Sequence, residues 1–253
     1  MKLRISILGC GAIGRTIAEA IRRKKIRAEI VCAYDKDALA LSDFCKKYGV
    51  KKAGSIDELM RAELIIEAAS QEAVQAYAKK ILERCDMLIM SVGALLEKKL
   101  MDSLVNTAEK NGTHIYIPSG AVCGLDAVKA ASLAGIERIS LTTTKNPRSL
   151  GISSGKKKIV FRGDAKEAVK KFPKNINVAA TLMLAANKNV VVEIVADPNA
   201  EQNIHEITVE GKFGRIKARA ENAPFPENPK TSYIAALSAV QALKNITEVL
   251  RIA

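Results

Sequence analysis

Residues 3–14 read LRISILGCGAIG, a short apolar run followed at once by the pattern GxGxxG. In that pattern the first glycine permits a tight turn, the second lets the backbone approach a pyrophosphate, and the third lets a helix pack closely on the strand. The pyrophosphate then lies at the positive end of that helix. The stretch therefore predicts the strand, turn and helix that open a dinucleotide-binding domain. The residues expected to hold the dinucleotide are Gly9, Gly11, Ala12, Ile13 and Gly14.

An acidic residue ends the second predicted strand. Residues 30–34, IVCAY, lead into Asp35, about 20 residues beyond the glycine pattern, where a carboxylate hydrogen-bonds the adenosine ribose. A carboxylate there repels a 2′-phosphate, so the sequence predicts NAD as the cofactor. Lys36 and the basic stretch 22–25 are close in sequence to the same strand end, so NADP stays open as a second cofactor.

The chain up to Pro118 alternates apolar strands with helical patterns. Strands are predicted at 64–68, 87–91 and 114–117, with helical patterns of 10–15 residues between them. Strands that are apolar throughout indicate a parallel sheet covered by helices on both faces, the doubly wound Rossmann arrangement. Ligands bind at the carboxyl ends of such strands. We therefore predict that Ala68, Ala69 and Ser70 also contact the cofactor.

The pattern changes after Pro118 and predicts a second, mixed α/β domain. Strands are expected at 139–145, 158–161 and 190–196, and a hairpin around Gly211. A long helix is predicted for 232–251, and it is expected to return to the first domain. Its apolar positions recur every three or four residues: Tyr233, Leu237, Val240, Leu243, Ile246 and Leu250. The fold class is thus α/β, with a Rossmann domain at 1–118 joined by 231–253, and a substrate domain at 119–230.

Charge and composition exclude several classes of protein. The net charge of +13 comes from 40 basic and 27 acidic residues, and it favours anionic ligands. The lysines alternate with acidic residues instead of forming a continuous stripe, so we expect no nucleic-acid target. No apolar run reaches the length of a membrane span, so no membrane association is expected. The five cysteines form no CxxC pair and no secretion signal is apparent, which predicts a cytoplasmic protein without a metal site.

Several longer stretches, in a fixed order, make the sequence resemble one family. They are GCGAIG (9–14), EAASQEAV (67–74), IPSGAVCGLDA (117–127), TTTKNPRSLG (142–151), FPKNINVAATL (172–182), VADPNAEQNIHEI (195–207) and ENPKTSYIAALS (227–238). Spread over nearly the whole chain, they resemble the L-aspartate dehydrogenases of NAD biosynthesis.

The resemblance implies a fold, a reaction and three site residues. The fold is a Rossmann domain with a mixed α/β substrate domain, and the assembly is usually a homodimer. The reaction oxidises L-aspartate to iminoaspartate, which hydrolyses to oxaloacetate and ammonia or feeds quinolinate synthesis. The nicotinamide contacts of the family fall on Ala121 and Asn177, and its catalytic histidine falls on His205.

The two histidines of the chain differ in setting. His114 lies in the alternating stretch THIYI and is expected to be structural. His205 begins a predicted strand beside Asn203 and Glu206, and histidine suits proton transfer near neutral pH. We therefore predict His205 as the general base, and Glu206, on the opposite face of the strand, as a surface residue or a supporting partner.

A dicarboxylate substrate needs fixed cationic or N–H donors. Lys230 is favoured, because the N-terminus of the last predicted helix adds positive potential there. The predicted substrate contacts are Ser119, Gly120, Lys145, Asn146, Lys230 and Thr231.

Two alternatives remain open from the sequence. One is a related Rossmann reductase of the homoserine dehydrogenase or dihydrodipicolinate reductase type, which a substrate screen would distinguish. The other belongs to a different class, a basic NADH-sensing regulator that binds nucleic acid. Such a regulator should carry a helix-turn-helix or a clustered basic face, and neither is apparent.

Overall fold

The computed structural model describes residues 2–172, 177–225 and 228–250, and it describes only the backbone of residues 169, 170 and 228–230. The chain divides into two compact units. The first comprises the residues up to Pro118 and those from Ala236 onward, and the second is Ser119–Ala235. None of the helices in the described ranges combines the length and the apolar composition that crossing a bilayer requires.

The first unit is built on a six-stranded parallel sheet with strand order β3-β2-β1-β4-β5-β6. This order is the Rossmann arrangement, so the predicted doubly wound fold is confirmed. Its elements in chain order are β1 Leu3–Leu8, α1 Ala12–Arg22, β2 Ala28–Tyr34, α2 Ala38–Tyr48, β3 Lys51–Lys52, α3 Ile56–Leu59, β4 Leu64–Glu67, α4 Gln71–Leu82, β5 Asp86–Ile89, a 3-10 helix Val92–Leu96, α5 Lys98–Asn111 and β6 Ile115–Tyr116.

The last helix of the chain packs into the core of the first unit, as predicted. Helix α10 spans Tyr233–Thr247, and its Ala239 and Leu243 are fully buried against the core of β1 and α1. Its predicted apolar face is partly wrong, because Leu250 lies beyond the helix end and is 78% exposed. The face that is buried carries alanines, whose small side chains allow the helix to lie close to the sheet.

The second unit is built on a five-stranded mixed sheet with strand order β11-β10-β7-β9-β8. Strands β7 and β9 are parallel and the other pairs are antiparallel, which confirms the predicted mixed sheet. Its elements are α6 Leu125–Leu133, β7 Ile136–Lys145, α7 Pro147–Leu150, β8 Lys158–Asp164, α8 Ala165–Lys171, α9 Asn177–Ala186, β9 Val191–Ala196, β10 Asn203–Gly211, β11 Gly214–Asn222, β12 Pro224–Phe225 and β13 Asn228–Ser232.

Three short features of the second unit were not predicted. Helix α7 begins at Pro147, which suits the first turn of a helix because its missing N–H would have no partner there. Helix α8 begins with a capping box formed by Asp164 and Glu167. Asn228–Ser232, a segment that the sequence placed before and at the start of the last helix, forms β13, which pairs with β12.

Candidate active site

The glycine pattern forms the turn between β1 and α1, and its backbone leaves room for a ligand. A side chain at Gly9 would lie 2.5 Å from the carbonyl oxygen of Ala68, and one at Gly14 would meet the carbonyl oxygen of Gly9. At Gly11, by contrast, the Cβ position faces open space, and no side chain caps the N-terminus of α1 there. Free helix N–H groups beside an open glycine suit a pyrophosphate. The loop therefore fits the dinucleotide that its sequence predicts.

Asp35 follows β2 and holds the glycine loop. Its Oδ2 accepts a hydrogen bond from the backbone N–H of Cys10 at 2.7 Å, and its Oδ1 accepts one from Asp37 at 2.9 Å. The carboxylate thus has a fixed position next to the loop. Its role as the ribose ligand stays a prediction, and the geometry adds a second role, since it also anchors the turn.

A cleft of about 410 Å³ opens at the carboxyl ends of β1, β2 and β4. It brings together five of the predicted cofactor residues: Gly11, Asp35, Ala68, Ala69 and Ser70. Lys36 lines it as well, which keeps NADP open, and Tyr77 of α4 adds an aromatic side chain. Ser70 also caps α4 through its hydroxyl, which accepts a hydrogen bond from the backbone N–H of Ala73.

Glu67, which the sequence did not single out as a site residue, joins the ends of β4 and β5. Its carboxylate is fully buried and accepts hydrogen bonds from the backbone N–H of Ala69 (2.8 Å) and from the backbone N–H and hydroxyl of Ser91 (2.9 and 2.8 Å). Burial raises the pKa of Glu67, and the donors of Ser91 and Ala69 oppose that rise. The residue thereby fixes the loop that carries Ala69 and Ser70.

Replacing Asp35 by alanine should weaken NAD binding about 10- to 100-fold, while NADP binding stays equal or improves. The loss of one charge-assisted hydrogen bond corresponds to about 1.5–3 kcal/mol, and the change also removes the repulsion of a 2′-phosphate. Fluorescence titration of both reduced cofactors measures the two affinities.

Asp43→Ala serves as the control for Asp35→Ala, because Asp43 lies exposed on α2 and does not line the cleft. Its affinities for both cofactors should match those of the wild type. Unchanged NAD affinity in Asp35→Ala would exclude Asp35 as the ribose ligand.

In the second unit, one face of the sheet changes from apolar to polar along its strands. On β7 the buried residues Ile139 and Leu141 are followed by Thr143 and Lys145, and on β10 Val209 and Ile207 are preceded by His205 and Asn203. The antiparallel register places His205 opposite Thr143. All four polar side chains are buried. A buried polar cluster at the end of an apolar core is costly, and such clusters are typical of functional sites.

His205 is held in place by Thr143. The hydroxyl of Thr143 lies 3.0 Å from Nδ1 of His205, which is 3% exposed. This contact leaves Nε2 as the nitrogen available for proton transfer. Burial, and secondarily the charge of Lys145, together lower the pKa of His205 to about 3. The imidazole is therefore neutral, the form that a general base requires.

Lys145 ends β7 beside this histidine and is 4% exposed. Burial lowers the pKa of Lys145 to about 8. A buried ammonium is a strong partner for a carboxylate, because little water competes for it. The structure places Lys145, one of the predicted substrate contacts, next to His205.

The loop of Ser119, Gly120 and Ala121 is fixed by a residue that the sequence did not identify. The side-chain amide of Asn222, at the end of β11, donates a hydrogen bond to the carbonyl oxygen of Ala121 at 3.0 Å. Ser119 is exposed and Ala121 is buried. Asn177, the other predicted nicotinamide contact, is the exposed first residue of α9. The roles of these residues stay predictions.

The structure gives less support to the other predicted substrate contacts, and the side chain of one of them lies outside the described residues. The side chain of Asn146 caps α7 through Arg148 and donates to the carbonyl oxygen of Pro198 at 3.1 Å, so it is already engaged. Thr231 is half-buried on β13. The side chain of Lys230, the favoured candidate, lies outside the described residues. Glu206 pairs with Arg219 at 2.7 Å on the surface.

Comparisons with known proteins agree with this architecture. Residues 126–246 match the family model "Aspartate dehydrogenase, C-terminal", and residues 9–118 match "Homoserine dehydrogenase, NAD binding domain". The L-aspartate dehydrogenase of Methanothermobacter thermautotrophicus is 45% identical over 248 residues, 97% of this chain and 96% of the relative. That of Methanococcoides burtonii is 42% identical over 268 residues, 99% of each chain.

A solved structure shares the whole fold. The crystal structure of the aspartate dehydrogenase from Thermotoga maritima superimposes with a TM-score of 0.81 at 26% identity, covering 100% of both chains. The first unit alone would suit several Rossmann reductases, but the second unit and the full-length similarity distinguish among them. On the strength of both units, the chain belongs to the aspartate dehydrogenase family.

Proposed function

We propose that this protein oxidises L-aspartate to iminoaspartate with NAD, with NADP as an alternative cofactor, and that the imine hydrolyses to oxaloacetate and ammonia. The observation that carries the proposal is the buried cluster of Thr143, Lys145 and His205 in a chain of this family. It offers a neutral base next to a cation. An amino-acid dehydrogenase with an acidic substrate needs both groups.

The two units have separate tasks in this proposal. The glycine loop and Asp35 hold the dinucleotide, and Glu67 keeps the loop after β4 in position. When bound, NAD accepts the hydride from the α-carbon of the substrate. Ala121 and Asn177 are proposed to contact the nicotinamide ring. Lys145 binds a carboxylate of the substrate and so holds the substrate beside His205. Holding the two in the correct geometry raises the rate by several orders of magnitude.

His205 is proposed to act on the water that attacks the imine. The water oxygen forms a bond to the imine carbon while one of its protons passes to Nε2 of His205. Because the imine is protonated, this attack gives a neutral carbinolamine. Its C–N bond then breaks and the nitrogen leaves as ammonia with the proton returned from the histidine, while the hydroxyl loses its proton to solvent and becomes the carbonyl of oxaloacetate. Thr143 keeps the ring in one orientation throughout, through its contact with Nδ1.

Further proposals concern the setting of the reaction. We propose that the enzyme works in the cytoplasm as a homodimer, that it supplies NAD biosynthesis, and that it has no nucleic-acid target. The family resemblance supports the homodimer and the pathway. The ion pairs on the second sheet, such as Arg215 with Glu210 and Arg162 with Glu193, support the last proposal, since they alternate the signs of charge.

A substrate screen tests the proposed function. The full-length protein is mixed with NAD or NADP and with L-aspartate, D-aspartate, L-alanine, L-homoserine or dihydrodipicolinate, and the absorbance of the nicotinamide is followed in both directions. We expect oxidation of L-aspartate with release of ammonia, and a preference for NAD. A turnover of homoserine or dihydrodipicolinate that exceeds that of aspartate would favour the related reductases instead.

A further inference from the structure

The side chain of Asn203 has an unsatisfied donor inside the second unit. Asn203 begins β10 and is 3% exposed. Among the described residues, its amide nitrogen Nδ2 is fully buried and has no hydrogen-bond partner. Leaving a buried donor without an acceptor costs about 1–3 kcal/mol. Native proteins retain such a group where a ligand or a water completes it.

The position of Asn203 connects it with the candidate catalytic residues. It precedes His205 by two residues on β10, so both side chains lie on the same face of the sheet. The register pairs Ile204 with Thr144, which places Asn203 and Lys145 together at the end of the β7–β10 ladder. The other neighbouring strand offers Asn222, whose amide nitrogen already donates to Ala121. The free donor of Asn203 therefore belongs to the polar end of this face.

The chemistry of this polar end suits an anion. The buried polar side chains in the described part of the second unit are hydroxyls, amides, one imidazole and one ammonium, and none of them is acidic. An amide N–H and an ammonium that share one end of a sheet can together hold a carboxylate. They would not hold a cation, and an apolar group would leave the side-chain amide of Asn203 without an acceptor.

The separation of Asn203 and His205 along β10 indicates which of the two substrate carboxylates Asn203 contacts. Two residues of a strand span about 7 Å, so the amide of Asn203 is well separated from the imidazole of His205. The α-carboxylate is bonded directly to the reacting carbon, next to His205. The side-chain carboxylate is one methylene further away, and Asn203 is placed to meet that more distant group.

We propose that the side-chain amide of Asn203 donates a hydrogen bond to the side-chain carboxylate of the substrate and thereby selects a dicarboxylic amino acid. This inference rests on the proposed function, which supplies the dicarboxylate. Asn203 is thus a specificity-determining residue. It makes no contact with the reacting carbon, and its loss should affect binding of the substrate more than the chemical step.

The test uses succinate, which has both carboxylates of aspartate but no amine to oxidise. Calorimetry of the full-length protein loaded with NADH measures succinate affinity for the wild type, Asn203→Ala and Asn203→Leu. We expect both variants to bind succinate about 10- to 100-fold more weakly, and kcat/KM for L-aspartate to fall by a similar factor, chiefly through KM. The affinity for NADH should not change. Glu206→Gln, on the exposed face of the same strand, should match the wild type.

Thermal unfolding separates a binding role from a structural one. Because Nδ2 has no hydrogen-bond partner in the part of the chain that the structure describes, Asn203→Ala and Asn203→Leu should keep or raise the Tm. A lower Tm in both variants, or an unchanged succinate affinity in either, would overturn the inference. If the wild type binds succinate through Asn203 but does not oxidise aspartate, the proposed function fails and the carboxylate site stands. If it oxidises aspartate while the variants keep their succinate affinity, the inference alone fails.

Discussion

Replacing His205 by alanine should lower kcat for L-aspartate oxidation by about 10²–10⁴, the usual contribution of a positioned general base. The water that attacks the imine is a poor nucleophile until a base takes its proton. His205 is the buried histidine of the described chain, and Thr143 fixes its Nδ1 at 3.0 Å. Steady-state rates with saturating NAD measure the effect. The affinity for NAD should hardly change, because the glycine loop belongs to the other unit.

Two controls accompany this substitution. His114→Ala removes the other histidine, whose side chain is exposed beside Asp86, and should leave the rate unchanged. Thr143→Val keeps the shape of the side chain but removes its hydroxyl, and should cost about tenfold, since the ring stays while its orientation loosens. Near-normal turnover of His205→Ala, or a loss of NAD binding as severe as the loss of rate, would show that His205 is not the base.

The pH dependence gives a second measurement of the same residue. Because burial and then Lys145 lower the pKa of His205 to about 3, the free enzyme carries a neutral imidazole at every pH above that value. The kcat/KM profile reports the free enzyme, so it should show no decline near pH 6.5, the ordinary pKa of histidine. A bound dicarboxylate offsets the charge of Lys145. Any protonation of His205 should therefore appear at higher pH in kcat than in kcat/KM.

The first unit could be predicted from the sequence because its signals are local. The strands of a parallel sheet are apolar along their whole length, and the glycines mark the turn where a side chain at Gly9 or Gly14 would meet backbone atoms. The role of Asp35 could be predicted from its distance to that turn. The role of Glu67 could not be predicted, although the residue lies in the quoted stretch EAASQEAV. Its importance lies in its contacts with Ser91, which follows the next strand and is 24 residues away.

In the second unit the sequence predicts strands but not which side chains meet. His205 and Thr143 are 62 residues apart, and only the antiparallel register of β10 on β7 brings them together. Asparagine is common at strand ends, so the sequence alone does not single out Asn203. Its burial, which only the structure shows, is what distinguishes it. The signal that could have been used is the alternation on β7, where Thr143 and Lys145 continue the buried positions of Ile139 and Leu141. A lysine at a core position indicates a function, because its burial is costly.

Replacing Lys145 by methionine should lower kcat/KM for L-aspartate by about 100-fold or more. The side chain has a similar length and keeps the packing, but it loses the ammonium. Losing a buried charge that holds a carboxylate costs about 2–5 kcal/mol. Lys188→Met is the matched control, because that lysine is exposed in the same unit and its ammonium donates to the backbone carbonyl of Ile136. It should keep the activity of the wild type.

The pH dependence of succinate binding separates this charge from the amine of the substrate. Since burial lowers the pKa of Lys145 to about 8, its ammonium is present below that pH and is lost as the pH rises through it. The inhibition constant of succinate should therefore rise above pH 8 in the wild type, about tenfold for each further unit. In Lys145→Met the inhibition constant should be higher throughout and should not change across pH 8.

Stability distinguishes this role from a structural one. A buried ammonium is costly to the folded state, which is why its pKa falls, and methionine removes that cost. Lys145→Met should therefore unfold at the same Tm as the wild type or at a higher one, while its activity is low. A fall in Tm that parallels the fall in kcat/KM would mean that Lys145 supports the sheet, and a wild-type succinate constant that does not change across pH 8 would mean that its charge does not hold the substrate.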